Sequence, residues 1–106
     1  MNTKSLTLIL QALSSEKRLT IFCWLLNPLE NFPPQQDGDL IDDGVCVGFI
    51  TDKIGLKQPT VTSHMKIMVT AGLVSQKKIK NWVFYKPNRN TISLFVKELS
   101  NCLSEK

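Results

Sequence analysis

The chain has 106 residues, 42% of them hydrophobic, with 13 lysines and arginines against 9 acids and a net charge of +4. That describes one domain with a limited core, apolar enough to fold, whose apolar runs fall short of the roughly 20 residues a transmembrane helix needs. Three cysteines, few and odd in number, do not make a secreted disulfide framework and are read as reduced thiols.

Leu6, Ile9, Leu10 and Leu13 recur at helical spacing and predict a helix over 3–13. Its segment "MNTKSLTLILQAL" faintly imitates a signal peptide. Gln11 interrupts it, and "SSEKR" follows where a small-residue cleavage site belongs, so a cytoplasmic protein with no membrane partner is expected. Ser14 or Ser15 can cap a second helix, "EKRLTIFCWLL", with Glu16 at its positive end and Pro28 beyond its stop. Leu19, Phe22, Leu25 and Leu26 are its predicted buried face.

Residues 27–44, "NPLENFPPQQDGDLIDDG", hold three prolines, two glycines and no helical period, and predict a long loop. "VCVGFITDKIG" predicts a short helix or turn ending at Gly55. "KQPTVTSHMKIMVTAG" predicts a helix with Pro59 early, where its missing N–H is harmless, and Gly72 at its end. "LVSQKKIKNWVFYKP" alternates and is rich in β-branched and aromatic residues, which predicts a β-hairpin turning at "KN" or "IKN". The last segment, "NTISLFVKELSNCLSEK", predicts a helix capped by Asn90 or Thr91, with Ile92, Phe95, Val96, Leu99 and Leu103 on one stripe. The fold class is therefore mainly α (α+β): about five helices and one β-hairpin in a single domain, 1–106. Two helices around a tight "IGLKQ" turn, followed by a hairpin, are the order of a winged helix-turn-helix.

Charge is unevenly placed. Residues 27–44 carry Glu30, Asp37, Asp39, Asp42 and Asp43 and no base; thirteen bases less the four acids elsewhere leave +9 on the rest. From Lys53 to Lys97 there are nine bases and no acid. Ordinary surfaces mix signs, so this block reads as a folded basic face suited to nucleic acid. Within it, Val61, Met65 and Met68 repeat at helical spacing and are expected to face the core with Ile54 and Leu56. The other face carries Gln58, Thr60, Thr62, Ser63 and Lys66. Short polar side chains let a helix sit deep in the major groove of double-stranded DNA, where glutamine pairs with adenine and serine or threonine with several bases. The alternative is the solvated side of an ordinary amphipathic helix. On the hairpin, Lys77, Lys78, Lys80 and Lys86 suit phosphate contact, with Lys80 and Asn81 at the tip. At least two of Trp82, Phe84 and Tyr85 are expected to pack the hairpin on the core rather than stack on bases.

"ALSSEKRLTIFCWLL", "CVGFITDKIGLKQPTVTSHMKIMVTAGLV" and "WVFYK" resemble the ArsR/SmtB-type winged-helix repressors of bacteria. The resemblance covers nearly the whole chain except 27–44, and "GLKQPTVTSHMKIMVTAGLV" is its specific part. It implies a homodimeric transcriptional regulator, a repressor, that binds an inverted-repeat operator and leaves it when a metal or another inducer binds. The family's recognition-helix positions fall on Gln58, Thr60, Val61, Thr62, Ser63 and His64 as base contacts. Lys57, Lys66, Lys77, Lys78, Lys80 and Asn81 are the expected phosphate contacts. Lys57 departs from the capping serine more usual in the family, so Gln58 or water must serve the helix start. His64, the only histidine, is expected either to donate to DNA or to fill the seam between recognition helix and hairpin; alone it makes no metal site. The first and last helices should form the dimer seam, because their apolar stripes exceed what one small core needs.

Where the metal-sensing branch of the family has "CVC", this chain has "CVG" at Cys46, Val47 and Gly48, and the last helix lacks the Asp and His pairs of the zinc-type site. No cofactor or resident metal is therefore expected, the alternative being a soft metal or arsenite held by Cys23, Cys46 and Cys102 if the fold or the dimer gathers their thiolates. A second branch senses oxidants or reactive sulfur through one cysteine in the second helix and one in the last. Cys23 and Cys102 resemble that pair, with Cys46 as a third possible thiol sensor. The plain alternative makes Cys23 a small buried apolar residue and Cys102 a bystander. The "FPPQ…DGDL…DGVC" stretch resembles an insertion carried by one group of the family. Its aspartates lack calcium-loop spacing. A solvated, inert insertion is the default, with folding against the protein's own basic face, or keeping the loop off DNA, as alternatives. A rival of another class is a winged-helix protein–protein module without DNA binding. An enzyme is not expected: there is one histidine, no phosphate-cradling glycine loop and no nucleophile–base motif.

Overall fold

The computed structural model describes residues 1–104. Asn2 accepts from the Ser5 amide and starts α1, Thr3–Leu13. Ser15, of the two candidate serines, caps α2, Glu16–Leu26, by accepting from the Arg18 amide. A four-residue α3, Pro28–Asn31, begins the segment predicted to be a loop. Proline at its first position needs no N–H partner. The chain then returns through a tight turn to β1, Val45–Cys46, and enters α4, Val47–Ile54. Gly55 ends α4 in the left-handed region at φ 76°, and α5, Gln58–Thr70, follows. The strands β2, Val74–Ile79, and β3, Trp82–Pro87, pair antiparallel about a two-residue Lys80–Asn81 turn. The last helix, α6, spans Arg89–Leu103.

Six helices and a three-stranded sheet of order β1-β3-β2 are present among the described residues, one short helix and one short strand more than the sequence predicts. The extra strand arises because the segment after residue 44 pairs with β3, Val45 with Tyr85 and Cys46 with Phe84, before turning into α4. The α6 cap is Asn88 rather than Asn90 or Thr91, and its side chain makes no capping bond. The amide of Asn88 is held by the Leu73 carbonyl, which fixes the chain there and lets the helix begin at Arg89. Glu105 and Lys106 lie outside the described residues.

The core gathers Ile9 and Ala12 of α1, Ile21, Phe22 and Leu25 of α2, Ile50 of α4, Val61, Met65 and Met68 of α5, and Val74 and Tyr85 of the sheet. Leu19, expected in the core, is 45% exposed. At 3.6 residues per turn it sits about a sixth of a turn beyond the edge of the arc that Ile21, Phe22 and Leu25 bury. Leu10 on α1 and Val96 and Leu103 on α6 are likewise exposed, while Phe95 is buried and Ile92 and Leu99 pack at the core's margin.

Candidate nucleic-acid interface

Helix α5 is built in two halves. Val61, Met65 and Met68 are fully buried, and α4 and β2 pack against the helix. Burial of each such side chain is worth roughly 1.5–3 kcal/mol, which fixes the roll of the helix and so decides what points outward. Gln58, Thr60, Thr62, Ser63 and Lys66 are exposed. Val61 is the correction within the base-contacting set: its side chain has no accessible surface and supports the helix from behind. The helix start at Lys57 has no side-chain cap, and no acid stands in the first turn, so the first amides of α5 keep their unopposed positive end. Ser63 Oγ donates to the Pro59 carbonyl at 3.1 Å and is otherwise free.

His64 takes its hydrogen-bond partner from α2 and not from the hairpin. It is partly buried beside the start of α2, where Arg18 Nη1 stands 3.1 Å from its Nδ1. A guanidinium only donates, so Nδ1 is the bare acceptor nitrogen and the ring proton sits on Nε2. Arg18 also donates through Nε to the Ala12 carbonyl at 2.6 Å, tying the end of α1 to α5. Burial first, and the nearby Arg18 charge second, hold the His64 pKa below its usual 6.5. Sequence reading passed over Arg18. The available signal was its place in the first turn of α2, three residues beyond the Ser14–Ser15 turn that leaves the α1 carbonyls open.

On the hairpin, Phe84 and Tyr85 are buried and Trp82 is 49% exposed, as expected of a wing packed on its domain. Lys78 and Asn81 are exposed, and Lys78 makes no ion pair among the described residues. The other lysines are engaged. Lys77 pairs with Asp43, Lys80 with Asp37 at 3.1 Å, and Lys86 donates to the Asp42 carbonyl at 3.0 Å. The Lys77 hydrogen bond, and then the Asp39 amide, hold the Asp43 carboxyl below its usual 3.8.

The segment 27–44 is thus not the solvated loop taken as the default but folds against the protein's own basic face. Phe32 and Leu40 are buried. Gln35 bridges the segment, accepting from the Cys46 amide at 2.7 Å and donating to the Gly44 carbonyl at 3.0 Å. Asp39 accepts from the amides of Ile41 and Asp42 and closes the turn. Gly44, at φ 102°, lies so close to β3 that a Cβ there would stand 2.3 Å from the Tyr85 carbonyl oxygen.

The three cysteines are all free thiols; Cys46 is buried while Cys23 and Cys102 are exposed, so Cys23 is not the buried apolar residue of the plain alternative. No group of three or more His, Cys, Asp or Glu able to hold a metal occurs among the described residues. No described helix is long and apolar enough to cross a membrane.

No protein-family profile matches the chain. It is 37% identical over 84 residues to an uncharacterized HTH-type transcriptional regulator, YbzH, of Bacillus subtilis, covering 79% of this chain and 84% of that one. The chain belongs to the HTH-type transcriptional regulators. Over 50 residues the regulator is 38% identical to a putative arsenical resistance operon repressor, ArsR2, of Halobacterium salinarum, covering 47% of this chain and 42% of that relative. Its fold is that of a homodimeric winged helix-turn-helix DNA-binding domain from Mycobacterium bovis, a possible ArsR-family regulator, with a TM-score of 0.66 and 17% identity over 93% of this chain and 79% of that one.

Proposed function

We propose that this regulator is a homodimeric repressor that reads an inverted-repeat operator with the outer face of α5. The observation that carries the reading is the exposed row of Gln58, Thr60, Thr62 and Ser63 on a helix rolled into place by fully buried Val61, Met65 and Met68. Gln58 has the two-pronged amide that matches adenine, and the hydroxyls adapt to several bases. Lys57, Lys66 and Lys78, with Asn81 at the wing tip, supply phosphate contacts that position the helix without specifying sequence. Nε2–H of His64 remains available as a donor while Nδ1 is occupied by Arg18.

Leu8 and Leu10 of α1 and Val96 and Leu103 of α6 are exposed apolar side chains on helices that touch each other. A second copy covering them completes the core and spaces two α5 helices for half-sites roughly 34 Å apart. Release by an inducer, through exposed Cys23 and Cys102 or through another ligand, belongs to the same reading.

Fluorescence anisotropy of the reduced protein, with its own upstream DNA and with a scrambled duplex across a salt series, tests this. Selective binding with a steep salt slope is the expected result. Equal, salt-insensitive signals on both duplexes would sink it and point to a protein partner.

A further inference from the structure

We propose that the acidic segment 27–44 is an internal stand-in for the DNA backbone: seated on the wing, it masks Lys77, Lys80 and Lys86 and holds down the protein's affinity for any duplex. The inference rests on the reading that the wing meets phosphate. Lysines from three places on the hairpin, the strand β2, the turn and the strand β3, each meet an oxygen of this one segment. Two of those oxygens are carboxylates, Asp43 and Asp37, and the third is the Asp42 carbonyl. An ammonium that already holds a carboxylate meets a phosphate less favourably, because the retained negative charge repels it.

The seat itself does not depend on those pairs. Phe32 and Leu40 are buried, Gln35 bridges to β1, and the backbone at Gly38 and Gly44 presses on Phe84 and Tyr85. At Gly38 a Cβ would come 2.9 Å from the Phe84 ring. Asp39 spends its carboxylate on its own turn, Asp43 gives one oxygen to the Asp39 amide and the other to Lys77, and Asp37 reaches outward to Lys80. The segment is thus anchored by its apolar side chains and turn hydrogen bonds while one oxygen each of Asp37 and Asp43 is presented to the wing. The exposed pairs are individually weak, so the mask tempers binding without preventing it. Nonspecific association, which is almost wholly electrostatic, is reduced along with specific binding, and the helix-read preference is left in place.

The test is the double variant Asp37→Asn, Asp43→Asn, which keeps the shape and leaves an acceptor for the Asp39 amide. Glu30→Gln is the control: it removes a charge from the same segment with no lysine partner among the described residues. Anisotropy on operator and scrambled duplexes should show the double variant tighter on both by about tenfold or more, with a salt slope steeper by up to about two. Glu30→Gln should change both by less than about twofold. Lys77→Ala should matter little in the native background and weaken binding clearly in the Asn background. Thermal melts and circular dichroism confirm that the variants fold; a native-like double variant with unchanged affinity and slope would overturn the mask while leaving DNA recognition standing. An equal gain from Glu30→Gln would reduce it to a net-charge effect and overturn it too. If no variant binds any duplex, the wing reading fails and the mask fails with it.

Discussion

Lys57 and Lys66 at the recognition helix make no ion pair with any described residue, whereas Lys77 and Lys80 on the wing each hold an aspartate. Both regions lie in the same acid-free block of sequence. The difference teaches that a block without acids along the chain need not be without acids in space. The recognition helix keeps its charge because its neighbours α4 and β2 offer it apolar side chains. The wing loses part of its charge because its outer strand neighbour, β1, brings the acidic segment with it.

Gly44→Ala should break this contrast most forcefully. The added Cβ meets the Tyr85 carbonyl, in a backbone region that disfavours side chains. A loss of roughly 1–3 kcal/mol or more is expected from strain of this kind, read as a lower urea midpoint, together with a wing whose lysines are unmasked. An unchanged midpoint would mean that the segment is not seated as described.

Gln58→Ala should act on the other region alone. Loss of a two-pronged base contact is worth about 1–3 kcal/mol of discrimination, so preference for operator over scrambled DNA should shrink with stability unaltered. Retained preference would remove Gln58 from the reading set. Lys66→Ala should lower the salt slope by about one, while Lys77→Ala in the native background should lower it by clearly less. Equal effects would erase the distinction between free and masked lysines.

The smallest expected effect is at His64. Its folded pKa lies below 6.5, so between that folded value and 6.5 the unfolded chain binds more protons than the folded one. Stability therefore rises with pH through that window and is lost as pH falls through it. Protonation also removes the acceptor that Arg18 needs. His64→Gln should flatten the stability profile below pH 6.5 without altering it at neutral pH, as denaturant titrations would show.

Much of the fold was legible because short-range physics carries it. Ser15, Gly55 and Gly72 act within a turn of themselves, and the Val61, Met65, Met68 spacing alone tells which side of α5 is buried. The outward face of α5 followed from the same periodicity, apart from Val61, which a family position assigned to DNA and the core claims. Exposure of Leu19 was not legible, since an apolar residue near the edge of a stripe can fall on either side of it. The partner of His64 was not legible either, because Arg18 lies 46 positions away.

The sequence by itself determined the order of helices, the hairpin, its turn at Lys80 and Asn81, and the segregation of charge into an acidic and a basic block. It did so because caps, turns and periodicity act over a few residues. Only the tertiary structure decided that the two blocks meet. Asp37 and Lys80 are 43 positions apart, and Asp43 and Lys77 are 34. Their meeting depends on β1 pairing with β3 and on Gly44 letting the backbones come that close. Such long-range pairing is written in no local pattern, because its free energy comes from the whole assembled sheet and core.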